Sequence, residues 1–526
     1  MSLRKETKKM KKNTIRRILS AALALIMVLS MAACGKQEEP APAPVVEEPT
    51  PVVETPVEEP AVVEEPEVVL AELLDISEHP GAPANVPAEL AIDWNTRYTF
   101  AELEGQLEAL NEAYPDVSEL YSIGASWEER ELWCMEITNE ATDAEGKTPI
   151  AIIANIHGGE RESASSAMYT AWWMLLNSED PYVQGLLDHY IIYVVPVMNP
   201  DGYEQSFINN NRPNMHPVDA NGDGRPFSDP YADLNGDGYI ANLYRGTAED
   251  EPSRKLPSFG MESPDWDQNG ILGDDPHSSG IDMNRTFNYM FNRCDIDSEI
   301  TIGANAWGST GKGNYGPATE PEVEAIQRFL YATTPYALIT VHTGIQCVLY
   351  PWCYRPYDEA LDAESDIPFM AETSEAMRAA YQDYTGRGFY TMQSYYDYPT
   401  SAEMIDWAYG RLGIHAYTVE VYNGGTSVNI EDCKWENELP EAKWEFYSQE
   451  DIQNVLGLDP AAITDANGVG LAEGEGLWFY TSSTAQMVDK APDDQQTLVE
   501  GFLECALVMI HSEPNGDGPE APRYYK

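Results

Sequence analysis

Apolar residues recur along this chain with two periods. Over 98–114, Phe100, Leu103, Leu107 and Leu110 fall three and four apart, which predicts a helix with one buried face. Similar spacing predicts helices over 320–331 and 367–381 and a closing helix over 495–510, and the apolar stretch 163–176 predicts a buried helix. Between these lie runs of six to eight mostly aliphatic residues, at 131–138, 150–155, 190–197, 336–341 and 416–421. Such runs predict strands buried on both faces. Strands alternating with helices predict an α/β fold: a mixed, mainly parallel central sheet covered by helices on both faces, in three layers.

The first 92 positions lack this pattern. Residues 1–17 hold eight Lys or Arg and one Glu, 19–33 are apolar and small, and Ala32-Ala33 precede Cys34. A basic region, a short apolar core and small residues mark a secretory signal. The core is short for a membrane span, and Cys34 resembles the lipidated first residue of a bacterial lipoprotein. Export, with a lipid anchor at Cys34 on the outer face of a bacterial membrane, is therefore expected. From Cys34 to position 92 the chain is rich in Pro, Glu, Val and Ala, and its repeats, such as EEPTPVVETPVEEP, predict an extended, self-repelling linker. One folded domain is expected over 93–512, followed by a tail at 513–526.

The formal net charge is −57, and removal of residues 1–33 takes it to −64. That excess excludes nucleic acid as a natural partner, because phosphates demand Lys and Arg. It suits an exported, soluble surface, and a monomer is expected. Six cysteines follow Cys34, with no Cys-x-x-Cys spacing to mark a metal or redox site. Cys134 and Cys505 sit in apolar patterns and read as core thiols.

Candidate chemistry gathers where the predicted strands stop. The run 150–155 leads into Ile156-His157-Gly158-Gly159-Glu160, a tight turn that can aim an imidazole and a carboxylate at one point. The run 336–341 ends in His342, and Tyr417-Thr418-Val419 leads to Glu420. A lone His at a strand end is more often structural. Two of them with two carboxylates fit a His₂Glu zinc site and a separate general base.

With these residues the chain resembles the zinc metallocarboxypeptidase family of the carboxypeptidase A type. His157-Gly158-Gly159-Glu160 is similar to its zinc-binding His-x-x-Glu, and Asn199-Pro200-Asp201-Gly202 to its Asn-Pro-Asp-Gly segment. Asp282-Met283-Asn284-Arg285 resembles the segment whose Asn-Arg pair grips the substrate's terminal carboxylate, and 316–322 a helix start. The resemblance implies one catalytic zinc on His157, Glu160 and His342, and Glu420 as general base to a zinc-activated water. It implies Asn284 and Arg285 as the carboxylate grip, with Tyr398, seven residues before Ile405, capping the bound residue. Peptide or protein C-termini are the implied partners. The family carries an arginine soon after Asn-Pro-Asp-Gly to stabilise the oxyanion. Its usual Arg-Lys pair is missing here, and Arg212 is the nearest candidate, with Arg245 second. Ile405, in the position that floors the side-chain pocket, predicts apolar or aromatic C-terminal residues.

Two insertions interrupt the domain, at about 213–280 and 424–475. The first holds three Asp/Asn loops: Asp219, Asn221 and Asp223; Asp233, Asn235 and Asp237; Asp265, Asp267 and Asn269. Alternating oxygens with Gly at the sixth place form the front half of a calcium loop, although none has the closing Glu. A structural Ca²⁺ is the expectation there. Three activities fit the whole: a peptide carboxypeptidase, a murein stem-peptide peptidase of the same family, or a calcium-dependent binding lipoprotein on a catalytically weak scaffold. Intact zinc ligands and Glu420 argue against the last, and the chain has no visible cell-wall-binding repeat to favour the second.

Overall fold

The computed structural model describes residues 70–142, 144–208, 211–291, 317–422, 427–428, 435–436, 443–481 and 494–512, all within one compact unit, 67–526. Its strands are β1 (Ser118–Ala125), β2 (Glu131–Ile137), β3 (Thr148–Ala154), β4 (Tyr190–Val195), β5 (Asn242–Gly246), β6 (Ser258–Met261), β7 (Ala337–His342), β8 (Cys347–Tyr350), β9 (Tyr390–Gln393), β10 (His415–Glu420), β11 (Ser427–Val428), β12 (Trp435–Glu436), β13 (Lys443–Tyr447) and β14 (Gly476–Thr481). Eight of them form the central sheet, in the order β1-β2-β4-β3-β7-β10-β8-β9. The pairs β4–β3, β3–β7, β7–β10 and β8–β9 are parallel, whereas β1–β2, β2–β4 and β10–β8 are antiparallel.

Alternation along β3 divides the interior into two cores. Ile150, Ile152 and Ala154 enter one core, with α2 (Arg161–Leu176), α3 (Pro181–His189), α6 (Ile367–Thr385) and α7 (Gln495–Ser512). Ala151 and Ile153 enter the other, with α5 (Pro321–Thr333) and the 404–414 segment. Burial on both faces explains the unbroken apolar runs of β3, β4 and β7. Helix α1 (Phe100–Ala113) buries the expected Phe100, Leu103, Leu107 and Leu110, and starts at a capping box between Thr99 and Glu102.

One expectation changes. Residues 70–92 belong to the folded unit and not to the linker: Leu90 is buried, the Ala71 amide donates to Asp188 at 2.6 Å, and Trp172 donates to the Leu90 carbonyl at 2.9 Å. An apolar stretch with backbone bonds to the core is no longer a solvated spacer. The two insertions come together. Strands from both meet in a second sheet, β13-β14-β5-β6, over a core that includes Leu243, Phe259, Leu477 and Phe479. Cys134, Cys347, Cys353 and Cys505 are buried free thiols.

Candidate active site

The turn after β3 is held by its own backbone and by the chain beside it. Asn155 adopts φ 57°, a left-handed conformation that asparagine tolerates. Its amide donates to the carbonyls of His157, Gly158 and Glu160 at 3.0 to 3.2 Å. The Gly158 and Gly159 amides donate to the carbonyls of Arg212 and Asn211 at 3.2 and 2.6 Å. A Cβ on Gly158 would lie 2.1 Å from the Gly202 carbonyl carbon, in α4 (Pro200–Gln205), so the close approach of these two segments requires glycine. This turn presents His157 and, at the N-cap of α2, Glu160.

His342 ends β7 and Glu420 ends the neighbouring β10, in register with each other. Glu160 receives both imidazoles: His157 Nδ1 lies 2.6 Å from Oε1 and His342 Nδ1 lies 3.1 Å from Oε2. The Thr343 amide also donates to Glu160 Oε2, at 3.2 Å. Among the described residues, His157, Glu160 and His342 are the one group of three His, Cys, Asp or Glu ligand atoms lying within 4.8 Å of one another. All three are buried around one cavity. Two imidazole nitrogens turned towards one carboxylate suit zinc with a coordination position to spare.

The opposite nitrogen of His157, Nε2, lies 3.2 Å from Asp282 Oδ1. Asp282 thereby fixes the ring with Nδ1 facing Glu160. The sequence reading placed Asp282 in a motif without giving it this role. Arg212 Nε donates to the other Asp282 oxygen at 2.9 Å, and Arg212 Nη1 is 3.6 Å from Glu160. Its side chain remains 42% exposed and lines the cavity, where it can meet a substrate oxygen. Asp282→Asn should preserve size and remove the charge behind His157. Zinc affinity should fall roughly 10- to 100-fold, as read by competition with a chelating indicator, and unchanged affinity would remove the orienting role.

Asn284, which lines the cavity, and Arg285 follow Asp282 in a short turn. The Asn284 carbonyl oxygen of the side chain accepts from the Met404 amide at 3.0 Å, which fixes the amide's direction. Arg285 Nη1 donates to Glu403 Oε1 at 2.8 Å, and Nη2 lies 3.4 Å from the Tyr398 hydroxyl. Tyr398 lines the cavity and is 42% exposed. It thus stands beside Arg285.

Charge at the site follows from burial opposed by partners. Burial and Arg212 work against protonated His157, but Glu160 and Asp282 outweigh them and raise its pKa. For His342 burial wins and lowers the pKa. Burial opposes ionisation of Glu160 and Asp282 too. The two imidazoles hold Glu160 below the usual carboxylate range, and Arg212 with His157 does the same for Asp282. Glu420 differs: burial, with the Glu160 charge added, pushes it well above that range despite Arg212. Its Oε2 is buried without a hydrogen-bond partner, and the residue lines the same cavity as the zinc-ligand set.

Other sequence candidates do not converge here. Arg245 lies on β5, donates to the Gly470 carbonyl at 3.0 Å and is 3.9 Å from Glu475, so it serves the second sheet and not the oxyanion. Ile405 is buried in the core beside Met283 and Phe287, while Glu403, two residues earlier, lines the cavity. The helical turn Met404–Trp407 rotates Ile405 inward, which overturns its role as pocket floor. In the acidic loops, Asp219 and Asp233 each accept from two glycine amides, Gly222 and Gly224, and Gly236 and Gly238, at 2.7 to 2.8 Å. The side-chain oxygens of Asn221 and Asn235 accept from the Asp223 and Asp237 amides at 3.0 Å, and those two aspartates cap Arg225 and Tyr239. In the third loop Asp265 accepts from Gly270, and the amide of Asn269 bridges Asp267 and Asp274. Turn formation accounts for the pattern, and the structure gives the calcium expectation no support. Cys34 lies outside the described residues.

A buried His₂Glu set with Glu420 beside it, at the carboxyl ends of neighbouring parallel strands, is a candidate site for one metal ion. The sequence profile of the zinc carboxypeptidases matches residues 103–438, and the chain belongs to that family. Zinc is the metal this membership implies. Carboxypeptidase D of Mus musculus is 33% identical over 129 residues, covering 24% of this chain and 9% of the relative. Carboxypeptidase M of Mus musculus is 28% identical over 158 residues, covering 28% and 34%. The chain therefore matches about a tenth of the former's length and a third of the latter's. Among solved structures, carboxypeptidase A from Helicoverpa armigera is similar over 64% of this chain and 68% of that one, at 15% identity and a TM-score of 0.46.

Proposed function

We propose that this protein is a zinc-dependent carboxypeptidase that hydrolyses the last peptide bond of peptides or proteins. The observation that carries the reading is the shared cavity. It joins a zinc-ligand set, Glu420 with a buried unpartnered oxygen, Arg212 and Asn284, and Arg285 stands just behind its lining, against Glu403 and Tyr398. Zinc, when bound, supplies a Lewis acid for the scissile carbonyl and for water. Arg285, steered by Glu403, forms a charge-assisted grip on the C-terminal carboxylate, with Asn284 beside it. Tyr398 covers that end. Glu420 accepts a proton from the attacking water and returns it to the departing amine. Arg212 faces the cavity and stabilises developing negative charge on the substrate oxygen.

Digestion of a peptide library by the zinc-loaded protein, followed by mass spectrometry, tests this directly. Stepwise loss of single C-terminal residues is expected. Internal cleavage, cleavage confined to murein stem peptides, or no cleavage would each overturn it.

The same proposal extends to location. A signal and lipidated Cys34 would tether the enzyme outside the cell. Cys34→Ala should move the protein from the membrane fraction to the medium, and an unchanged distribution would remove the lipid anchor.

A further inference from the structure

Arg212 and Asp282 bond to each other beside His157 although 70 positions separate them. Neither lies in a strand or an α-helix, so regular hydrogen bonding does not set their spacing. One side chain between their two segments does. Asn214, two residues after Arg212, is fully buried. Its backbone amide donates to the Ile281 carbonyl, and its side-chain oxygen accepts from the Ile281 amide, both at 3.0 Å. Ile281 directly precedes Asp282. The two bonds close on each other, so a slip of either segment breaks both. A Cβ on Gly280 would lie 1.8 Å from the Asn214 carbonyl oxygen, so the segments approach too closely for a side chain there.

The other end of the Asn214 side chain is held as firmly. Its Nδ2 donates to Glu320 Oε2 at 2.8 Å and to Glu322 Oε2 at 3.2 Å, two fully buried carboxylates at the start of α5. Buried carboxylates are costly unless donors surround them. Trp127 supplies its Nε1 to Glu320 at 2.8 Å and its amide to Glu322 at 3.3 Å, and His216 Nδ1 lies 2.9 Å from Glu320. Burial opposes ionisation of Glu320, but His216, Asn214 and Trp127 outweigh it and lower its pKa. Burial, with the Glu320 and Asp201 charges added, pushes Glu322 up to about 8. Glu320 is thus the charged member of the pair and makes the stronger bond to Asn214. A side-chain amide is what this place requires. A carboxylate would face two others, and an alkyl group would leave both ends unbonded.

We infer that Asn214 is a positioning residue for the hydrolysis: it locks the 211–216 segment to the 280–285 segment, and so holds Arg212 towards the substrate oxygen and Asp282 behind His157. The inference rests on the carboxypeptidase reading for Arg212, whereas the effect on zinc through Asp282 does not depend on which substrate is cut. The same segment also braces the zinc-ligand turn, because the Asn211 and Arg212 carbonyls accept from the Gly159 and Gly158 amides.

The experiment compares the full chain with Asn214→Ala, Arg212→Ala and the two substitutions together, on one peptide at saturating zinc. Asn214→Ala should lower kcat roughly tenfold or more, since a misplacement of about 1 Å can cost about 10²-fold. KM should move by less than about threefold, because the loss falls on the transition state. In the Arg212→Ala background the same substitution should cost less than about threefold, because the group it positions is gone. Zinc affinity of Asn214→Ala, read by competition with a chelating indicator, should fall roughly tenfold through Asp282. A residue that only supports the fold would lower the melting temperature and leave kcat and zinc affinity of the folded protein at parent values. Near-parent kcat, a loss equal with and without Arg212, or unchanged zinc affinity each overturns the inference. Glu320→Gln keeps the size and an acceptor for Asn214 and removes the charge, so it should fold and show the same losses at about threefold. If Asn214→Ala does not fold, parent-like zinc affinity in Glu320→Gln overturns the inference. If the parent chain cleaves no peptide, the carboxypeptidase reading falls, and zinc affinity alone decides whether Asn214 positions Asp282.

Discussion

Glu420→Gln should leave folding and zinc content intact while turnover falls by roughly 10²-fold or more, the usual scale of a general base. Three observations lead to this. His157, Glu160 and His342 already complete a ligand set without Glu420. Strand β10 holds Glu420 level with His342, so both reach the same edge of the sheet. Its Oε2 is buried and unpartnered, although an unsatisfied polar atom in the interior costs stability. A position kept at such a cost suits a group whose partner arrives with the substrate. Glutamine preserves volume and one acceptor, relieves the repulsion from Glu160, and lacks a proton-accepting oxygen of carboxylate basicity. Thermal stability without metal should therefore hold or rise. Steady-state kinetics, metal analysis and a thermal melt of the same sample check turnover, zinc content and folding, and near-full activity in the variant would remove Glu420 from proton transfer.

His342→Ala should abolish zinc binding and, with it, activity. Two ligands would remain, and Glu160 would lose the imidazole 3.1 Å from its Oε2. A buried carboxylate deprived of a hydrogen-bond donor is destabilising in its own right, by about 1.5–3 kcal/mol. The informative comparison is therefore melting temperature with and without a chelator. Stripping a tightly bound ion from the native protein should lower its melting temperature by mass action. The variant should melt low and respond little to chelation. Stoichiometric zinc in purified His342→Ala would show that this imidazole is not a ligand.

The parts of this site that could be read from sequence share a physical cause. β3, β7 and β10 lie inside the sheet, buried on both faces, and each therefore appears as an apolar run ending abruptly in a polar residue. Those endings are His157 with Glu160, His342 and Glu420. Helix α1 was legible because one face alone is buried. The edge strands β1 and β9, and β8 beside β9, were not. β1 alternates poorly, and β8 and β9 have four residues each, too few for a period to declare itself. Asp282 and Asn155 act through contacts that local pattern does not encode: one reaches a histidine 125 positions away, and the other folds its own turn. Glu403 looked like an ordinary acidic residue at a helix start, and only the rotation that buries Ile405 reveals that it faces the cavity. The second sheet was hidden because its strands lie in segments dominated by Asp, Asn and Gly turns.

That second sheet has a consequence for the order of folding. β5 and β14 pair between residues some 230 positions apart, Gly246 with Gly476. Closing so long a loop is entropically costly until something else has already brought its ends together. The central sheet supplies that proximity, so the lobe should assemble last and open first. In native-state hydrogen exchange the amides of Gly476–Thr481 should exchange through a local opening, at lower free energy than those of Thr148–Ala154. The lobe then behaves as a separate cooperative unit that can melt and re-form while the zinc-binding edge of the central sheet stays folded.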